Sequence, residues 1–234
     1  TNVGGLVGEN DNAKISNSYS TSTVTGTPGN GAAGDIVGGL VGFNQTGGTI
    51  VNSYATGNVS GSANVGGVVG WNNNTSGSGG VRSTLTNVYS SGKVTGVTNV
   101  GGVAGQNGAP NGIVNGIYNT TLNAGPGVGL NSGTATITGL TSTQMKSTSN
   151  FTGFNFSTTG GALGNNWVMV NTDGSFDSDT GSGATLPMLA SEWSNTITSA
   201  HQLQLMGLSL TAQYVLANDI AAAGTASTAS DVWG

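Results

Sequence analysis

What the chain lacks narrows it first. Cysteine is absent from all 234 residues, so no disulfide staples the fold, and one argument for an oxidising compartment is removed without another being supplied. Charge is nearly absent too: Asp, Glu, Lys and Arg make up 6% of the chain, against roughly 25% in an ordinary soluble domain. Four basic residues stand against nine acidic ones, for a net charge of −5, which argues against a nucleic-acid partner because that partner needs a basic face. No apolar run approaches the roughly 20 residues needed to cross a bilayer as a helix, so no membrane insertion is expected. No secretory leader is visible at Thr1. Thr1 already lies within a repeat, as a segment of a longer chain would.

Glycine is what the chain has in excess, with 43 residues, alongside Ser, Thr and Asn. Disorder goes with low hydrophobicity and high charge, and this chain has ordinary hydrophobicity with almost no charge. Its apolar residues are mostly Val, Ile and Leu, set at regular intervals between turn formers, which favours strands. They fall into copies of one unit. Val3-Gly-Gly-Leu-Val-Gly8 returns as Val37-Gly-Gly-Leu-Val-Gly42, Val65-Gly-Gly-Val-Val-Gly70 and Val100-Gly-Gly-Val-Ala-Gly105. After each comes one free position (Glu9, Phe43, Trp71, Gln106) and then an asparagine: Asn10, Asn44, Asn72, Asn107. Periods of this length mean a solenoid, a propeller or an array.

Each copy has a second half. Ile15-Ser-Asn-Ser-Tyr19 is followed by Val24, Ile50-Val-Asn-Ser-Tyr54 by Val59, and Leu85-Thr-Asn-Val-Tyr89 by Val94, while Val114-Asn-Gly-Ile-Tyr118 decays at Leu122-Asn-Ala-Gly125. A repeat thus reads as three short apolar segments, and three strands per turn is the plan of a parallel β-helix. On this plan Ile15, Ile50, Leu85 and Val114 form one inward column and Val24, Val59 and Val94 another. The glycine pair permits close backbone approach. The four asparagines are expected to take left-handed or turn geometry and to bond along the stack as an amide ladder. Tyr19, Tyr54, Tyr89 and Tyr118 read as an aromatic stack inside or at a corner, with an outward sugar-binding strip as the other reading. The variable stretches, Thr27–Asp35 and Asn73–Gly80, fall between strand segments.

Three parts are expected: four β-helix repeats over 1–125; a strand plus an aromatic-rich inserted element packed on the solenoid over 126–193; and the incomplete start of a further β-helix module over 194–234. In the middle part, Thr141 to Gln144 has capping-box spacing ahead of a short helix. In the last, Ser199 with Gln202 opens another, Gly207 closes it, and Tyr214 to Ile220 reads as a strand.

Few residues offer chemistry. Asp173, Asp177 and Asp179 alternate near glycine, a low-grade Ca²⁺ pattern that lacks a closing glutamate; the plain alternative is a polar turn. His201 is the sole histidine, and Ser199 beside it is better explained as a helix cap than as a nucleophile. The basic residues Lys14, Arg82, Lys93 and Lys146 do not lie beside an acidic pair in the repeats, so acid–base groups are short and no enzyme is expected. No catalytic or cofactor-binding residue is assigned.

The repeats resemble the GLUG motif, named for its Gly-Leu-(any)-Gly core, on Gly5-Leu-Val-Gly8 and Gly39-Leu-Val-Gly42; copies three and four carry Val68 and Val103 in place of Leu. Gly139-Leu-Thr-Ser-Thr-Gln-Met145, Trp167, Leu186-Pro-Met-Leu189, Leu203-Gln-Leu-Met206 and Tyr214-Val-Leu-Ala-Asn-Asp-Ile220 look like the segments that follow such repeats in large bacterial exoproteins. The whole is similar to filamentous-haemagglutinin-like adhesins secreted by the two-partner route. The resemblance implies an all-β, right-handed parallel β-helix exported to the bacterial outer surface or medium. It also makes Asn58, Asn74 and Asn119, each in an Asn-X-Ser/Thr sequence, candidate glycosylation sites. The implied function is a non-enzymatic adhesin segment. Its partners would be neighbouring coils of the same longer chain and, through loops or distal domains, a host-cell or glycan receptor. A purely structural spacer is the alternative, and a carbohydrate-active β-helix enzyme the third reading.

Overall fold

A computed structural model describes residues 1–27, 34–74, 78–159, 166–171, 173–177 and 185–222. The chain divides into two compact units, Thr1–Ser142 and Thr143–Gly234. The first is a parallel β-helix. Its first coil contains β1 Asn2–Gly4, β2 Val7–Asp11, β3 Lys14–Ser16, β4 Tyr19–Ser20 and β5 Val24–Thr25. The second contains β6 Ile36–Gly38, β7 Val41–Gln45, β8 Thr49–Ala55 and β9 Val59–Ser60; the third, β10 Val65–Gly66, β11 Val69–Asn72, β12 Thr84–Ser90 and β13 Val94–Thr95. The fourth has β14 Val100–Gly101, β15 Ala104–Asn107 and β16 Ile113–Asn119, and the last β17 Val128–Asn131 and β18 Ala135–Leu140.

Every pairing between coils is parallel, and equivalent strands stack into four sheets: β1-β6-β10-β14, β2-β7-β11-β15-β17, β3-β8-β12-β16-β18 and β5-β9-β13. We call these sheets A to D. Four sheets form where three strand segments were expected, because the hexamer is not one strand. Its first half lies in sheet A and its second in sheet B, with a corner at the second glycine and the following aliphatic residue. The corner explains the glycine pair. A methyl group added at Gly38 would overlap the Val41 carbonyl, and one at Gly67 would overlap both the Gly102 carbonyl and the Ser90 side chain. At the corner, Leu40, Val68 and Val103 point into the core and are fully buried, with Ile50, Leu85 and Ile113 from sheet C beside them. Val24, Val37, Val59 and Val65 close a second cluster between sheets D and A.

Three features depart from the sequence reading. The inward column continues Ile15–Ile50–Leu85 with Ile113, not Val114, which pairs with Thr86 and is 38% exposed. Tyr118 is displaced in the same way. Ile117 stands opposite Tyr89, while Tyr118 packs on the core against Gly102. The helix also continues past Gly125, since β17 and β18 pair with β15 and β16 as a fifth coil. The compact unit accordingly ends at Ser142.

Apart from a one-residue irregularity between β16 and β18 at Ile113–Gly116, length variation falls at corners. Between sheets B and C the connection is 46–48 in the second coil, 73–83 in the third and 108–112 in the fourth. Register is recovered at once: Thr84–Ser90 lies residue for residue on Thr49–Ala55.

In the second unit Phe151, Phe154 and Phe156 pack with Trp167, the Phe154 and Trp167 centroids 4.9 Å apart. β19 Trp167–Val168 runs antiparallel to β20 Met188–Leu189. The stretch Thr141–Gln144 leads into a 3₁₀ turn at Gln144–Lys146 without a side-chain cap. α1 Ala200–Gln204 is capped by Ser199, whose Oγ accepts from the Gln202 amide at 3.3 Å. It sits between β21 Thr196–Ile197 and β22 Val215–Leu216, which pair in parallel. Of the expected strand Tyr214–Ile220, only Val215–Leu216 forms.

Candidate functional site

The most organised polar structure in the chain is a buried line of carboxamides at the corner between sheets B and C. Asn10, Asn44, Asn72 and Asn107 occupy one register position in successive coils. Each Nδ2 donates to the Oδ1 of the next, at 2.8, 2.8 and 2.9 Å, and Asn107 continues the series to Asn131 at 3.0 Å. The second proton of each amide ties down the corner: Asn10 donates to the Ala13 carbonyl at 3.1 Å, Asn44 to Gly48 at 2.9 Å and Asn107 to Thr134 at 3.3 Å. Asn44, Asn72 and Asn107 are fully buried. A buried amide with all its groups paired fixes geometry, whereas one left unpaired is costly.

These four asparagines lie in strands, and the left-handed conformation falls on another set. Asn17, Asn52, Asn87 and Asn115 have φ of 48°, 46°, 52° and 55°. They kink sheet C, and Asn offers αL at lower cost than most residues. Three of them form a second ladder in the opposite sense: Asn115 donates to Asn87 at 2.9 Å, and Asn87 to Asn52 at 3.2 Å. The sequence shows this column in the first three copies, as the third residue of Ile-Ser-Asn-Ser-Tyr and its equivalents; in the fourth, Asn115 stands one place further from Tyr118. A shorter rung joins Asn99 to Asn64 at 2.7 Å.

Two aromatic columns accompany the ladders. Tyr19, Tyr54 and Tyr89 stack at 5.1 and 4.9 Å, with Tyr54 and Tyr89 fully buried. Phe43 and Trp71, at the free position of the repeat, are half-buried and 5.0 Å apart. Beside Phe43, Glu9 accepts from Gln45 at 2.5 Å and from Asn2 at 3.1 Å.

The candidate glycosylation sites differ in access. Asn58 and Asn74 are exposed; the Oδ1 of Asn58 accepts from the Lys93 amide, and that of Asn74 from Arg82. Asn119 is buried, and its Nδ2 donates to Ser142 Oγ at 2.9 Å and the Ser91 carbonyl at 3.4 Å. That amide is already committed to the stack.

The acidic turn is only partly within the described residues, since Asp179 lies outside them. Asp173 is exposed, and its Oδ1 accepts from the Ser175 amide at 2.9 Å and hydroxyl at 2.6 Å. The Ser175 hydroxyl, and then its amide, hold the Asp173 carboxyl below the ordinary aspartate value. Asp177 is buried, and its Oδ2 accepts from the Thr148 amide at 3.1 Å. Among the described residues no three His, Cys, Asp or Glu side chains are grouped to hold a metal ion.

His201 has a partner that the sequence reading missed. Its Nδ1 lies 2.5 Å from Glu192 Oε2, both side chains being buried. The other oxygen of Glu192 accepts from the Leu189 amide at 2.9 Å. No sequence spacing marks this pair, since Leu189 carries no capping oxygen and Leu189-x-x-Glu192 is not a capping-box signature.

The stacked coils, corner glycines and amide ladders define a repeat protein of the parallel β-helix class. The family model for the GLUG motif matches residues 1–25 and 33–60, which are the first two coils. No protein of curated function and no solved structure matches the chain.

Proposed function

We propose that this chain is a non-enzymatic segment of a large bacterial surface exoprotein of the filamentous-haemagglutinin-like kind. Its β-helix acts as a rigid section of a rod that presents corner loops or distal domains for attachment to a host cell or glycan. The observation that carries the reading is the continuous in-register stack from β2 to β17, locked by the Asn10–Asn131 ladder. A repeat in which each coil contacts its neighbours grows linearly and resists bending. The GLUG match supports this reading, because the motif is found in extracellular repeat proteins. Within the solenoid, side chains able to move protons are few and dispersed, and its interior is filled by aliphatic residues and amides.

Attachment falls to the parts free to vary without disturbing register, namely the corners between sheets B and C and between sheets D and A. The test is to incubate purified chain with a panel of host-type glycans and cultured cells while following both retention and product release. Saturable retention, or none, with no cleavage of any glycan fits an adhesive or spacer segment. Sustained release of oligosaccharide products overturns it.

A further inference from the structure

One dipeptide in the fourth coil is chemically set apart from its neighbours. Asn-Gly occurs four times in the chain: Asn30-Gly31 lies outside the described residues, and the other three, Asn107-Gly108, Asn111-Gly112 and Asn115-Gly116, follow one another within that coil. An asparagine followed by glycine is open to attack from its own backbone, because no side chain shields the next amide nitrogen. The attack requires the carboxamide to swing over the main chain and the next amide to be released. Hydrogen bonds on either group oppose it.

Two of the three pairs are held by the ladders. Asn107 is fully buried; its Oδ1 accepts from Asn72 at 2.9 Å, and its Nδ2 donates to Asn131 at 3.0 Å and to the Thr134 carbonyl at 3.3 Å. The Gly108 amide donates to the Asn72 carbonyl at 2.9 Å. Asn115 is half-buried and donates to Asn87 at 2.9 Å, and Gly116 is buried in sheet C, paired with Val88 and Ile137. Asn111 differs. It is exposed in the turn 109–112, at φ 51°, and its carboxamide bonds to no described group. Of the two reacting groups, only the Gly112 amide is held, by the turn's own bond to the Ala109 carbonyl at 3.0 Å.

We infer that Asn111 deamidates spontaneously in the folded chain, and that the ladders shield the Asn-Gly pairs on either side of it. The Gly112 nitrogen bonds to Asn111 Cγ, the Cγ–Nδ2 bond breaks, and Nδ2 leaves as ammonia, taking the proton that the Gly112 amide gives up. Water then opens the imide ring at either carbonyl, to aspartate or to isoaspartate. Isoaspartate routes the main chain through Cβ and Cγ and lengthens it by one methylene. The change falls beside the Gly112 carbonyl, which accepts from the Leu85 amide at 2.8 Å and from Asn72 Nδ2 at 3.2 Å. A reaction at an exposed turn thereby reaches the buried ladder.

Peptide mapping tests it. The folded chain is aged at neutral pH and physiological temperature and digested with pepsin in acid. Each Asn-Gly peptide is then read by mass spectrometry, with electron-transfer fragmentation to tell isoaspartate from aspartate. Asn111 should convert at least about tenfold faster than Asn107 or Asn115, which react only when the fold opens locally. In denaturant the three rates should converge. Asn87→Gly, checked for folding by circular dichroism, removes the acceptor of Asn115 and should speed conversion there while leaving Asn111 as it was; the wild-type rates alone decide if that variant does not fold. The isoaspartyl form, separated by ion exchange, should melt below Asn111→Asp, which carries the same charge without the methylene. Conversion at Asn111 no faster than at its neighbours overturns the inference. So do a gap that persists in denaturant, a folded Asn87→Gly chain in which Asn115 is no faster, or an isoaspartyl form that melts with Asn111→Asp.

Discussion

An asparagine carboxamide donates and accepts along one line, which suits it to a column whose members are one strand spacing, about 4.8 Å, apart. Asn72 accepts from Asn44 and donates to Asn107 and to the Gly112 carbonyl. Asn72→Ala should therefore destabilise the chain by about 1–3 kcal/mol, the cost of leaving buried partners unpaired, read as a lowered urea midpoint. A midpoint unchanged within error would remove the ladder from the stability account. Asn87 separates backbone from side chain in the other column. Asn87→Ala must keep φ near 52°, which costs an L-residue about 1–2 kcal/mol. Asn87→Gly loses the same amide without that strain, so it should melt higher than Asn87→Ala. The reverse order would show that φ is not what selects the residue. At Asp173 the folded carboxyl is more acidic than the unfolded one, because Ser175 bonds its charged form. Its contribution is therefore present above the unfolded value and lost as pH falls through the folded one. A carboxyl titration followed by NMR should show a midpoint below the ordinary aspartate value, moving up in Ser175→Ala. Much of this was legible. The asparagine after each hexamer stood out because the residue before it varies freely. The demand for a left-handed residue was assigned to that column, yet it belongs to Asn17, Asn52, Asn87 and Asn115, where the chain kinks within sheet C.

At the scale of elements, corners absorb most change, and within the strands the one irregularity of register among the described pairs is that between β16 and β18. Residues 73–83 do in the third coil what 46–48 do in the second, and loop closure depends only weakly on length. Deleting 76–80 should move the melting temperature by no more than a few degrees, whereas deleting Thr86 alone should abolish cooperative folding. That single deletion shifts the rest of β12 by one place and turns its core-facing side chains to the other face. Equal effects of the two deletions, measured by calorimetry, would contradict the register argument. The same physics shows where the sequence was hard to read. A glycine–aliphatic corner inside Val-Gly-Gly-Leu-Val-Gly looks like the middle of a strand, so two sheets were read as one. The fifth coil was present as Val128-Gly-Leu-Asn131, matching Val41-Gly-Phe-Asn44, but it lacks the preceding glycine pair on which the reading was anchored. Counting back four residues from Tyr118, as from Tyr19, Tyr54 and Tyr89, lands on Val114, whereas the pairing in β16 sets Ile117 opposite Tyr89 and Ile113 opposite Leu85. The Glu192–His201 pair depends on a tertiary contact that no repeat spacing encodes.

At the scale of the whole molecule, an unbroken stack makes stability a neighbour property. The middle coils pair with a neighbouring coil on both sides. Amide exchange should therefore be slowest at Leu40, Val68 and Val103 and faster in the exposed connection at 79–82, with uniform protection arguing against nearest-neighbour coils. Almost all of the ordered polar chemistry in the solenoid is directed along its own axis, into ladders and strand pairing. That arrangement is what supports the proposed reading of the chain as a section of an extracellular rod. The most direct measurement is labelling of intact producing cells with an antibody raised against this chain, compared with the same cells after lysis. The account predicts strong labelling before lysis, or recovery of the antigen from the medium. Labelling that appears only after lysis, with the antigen confined to the cytoplasm, would contradict it.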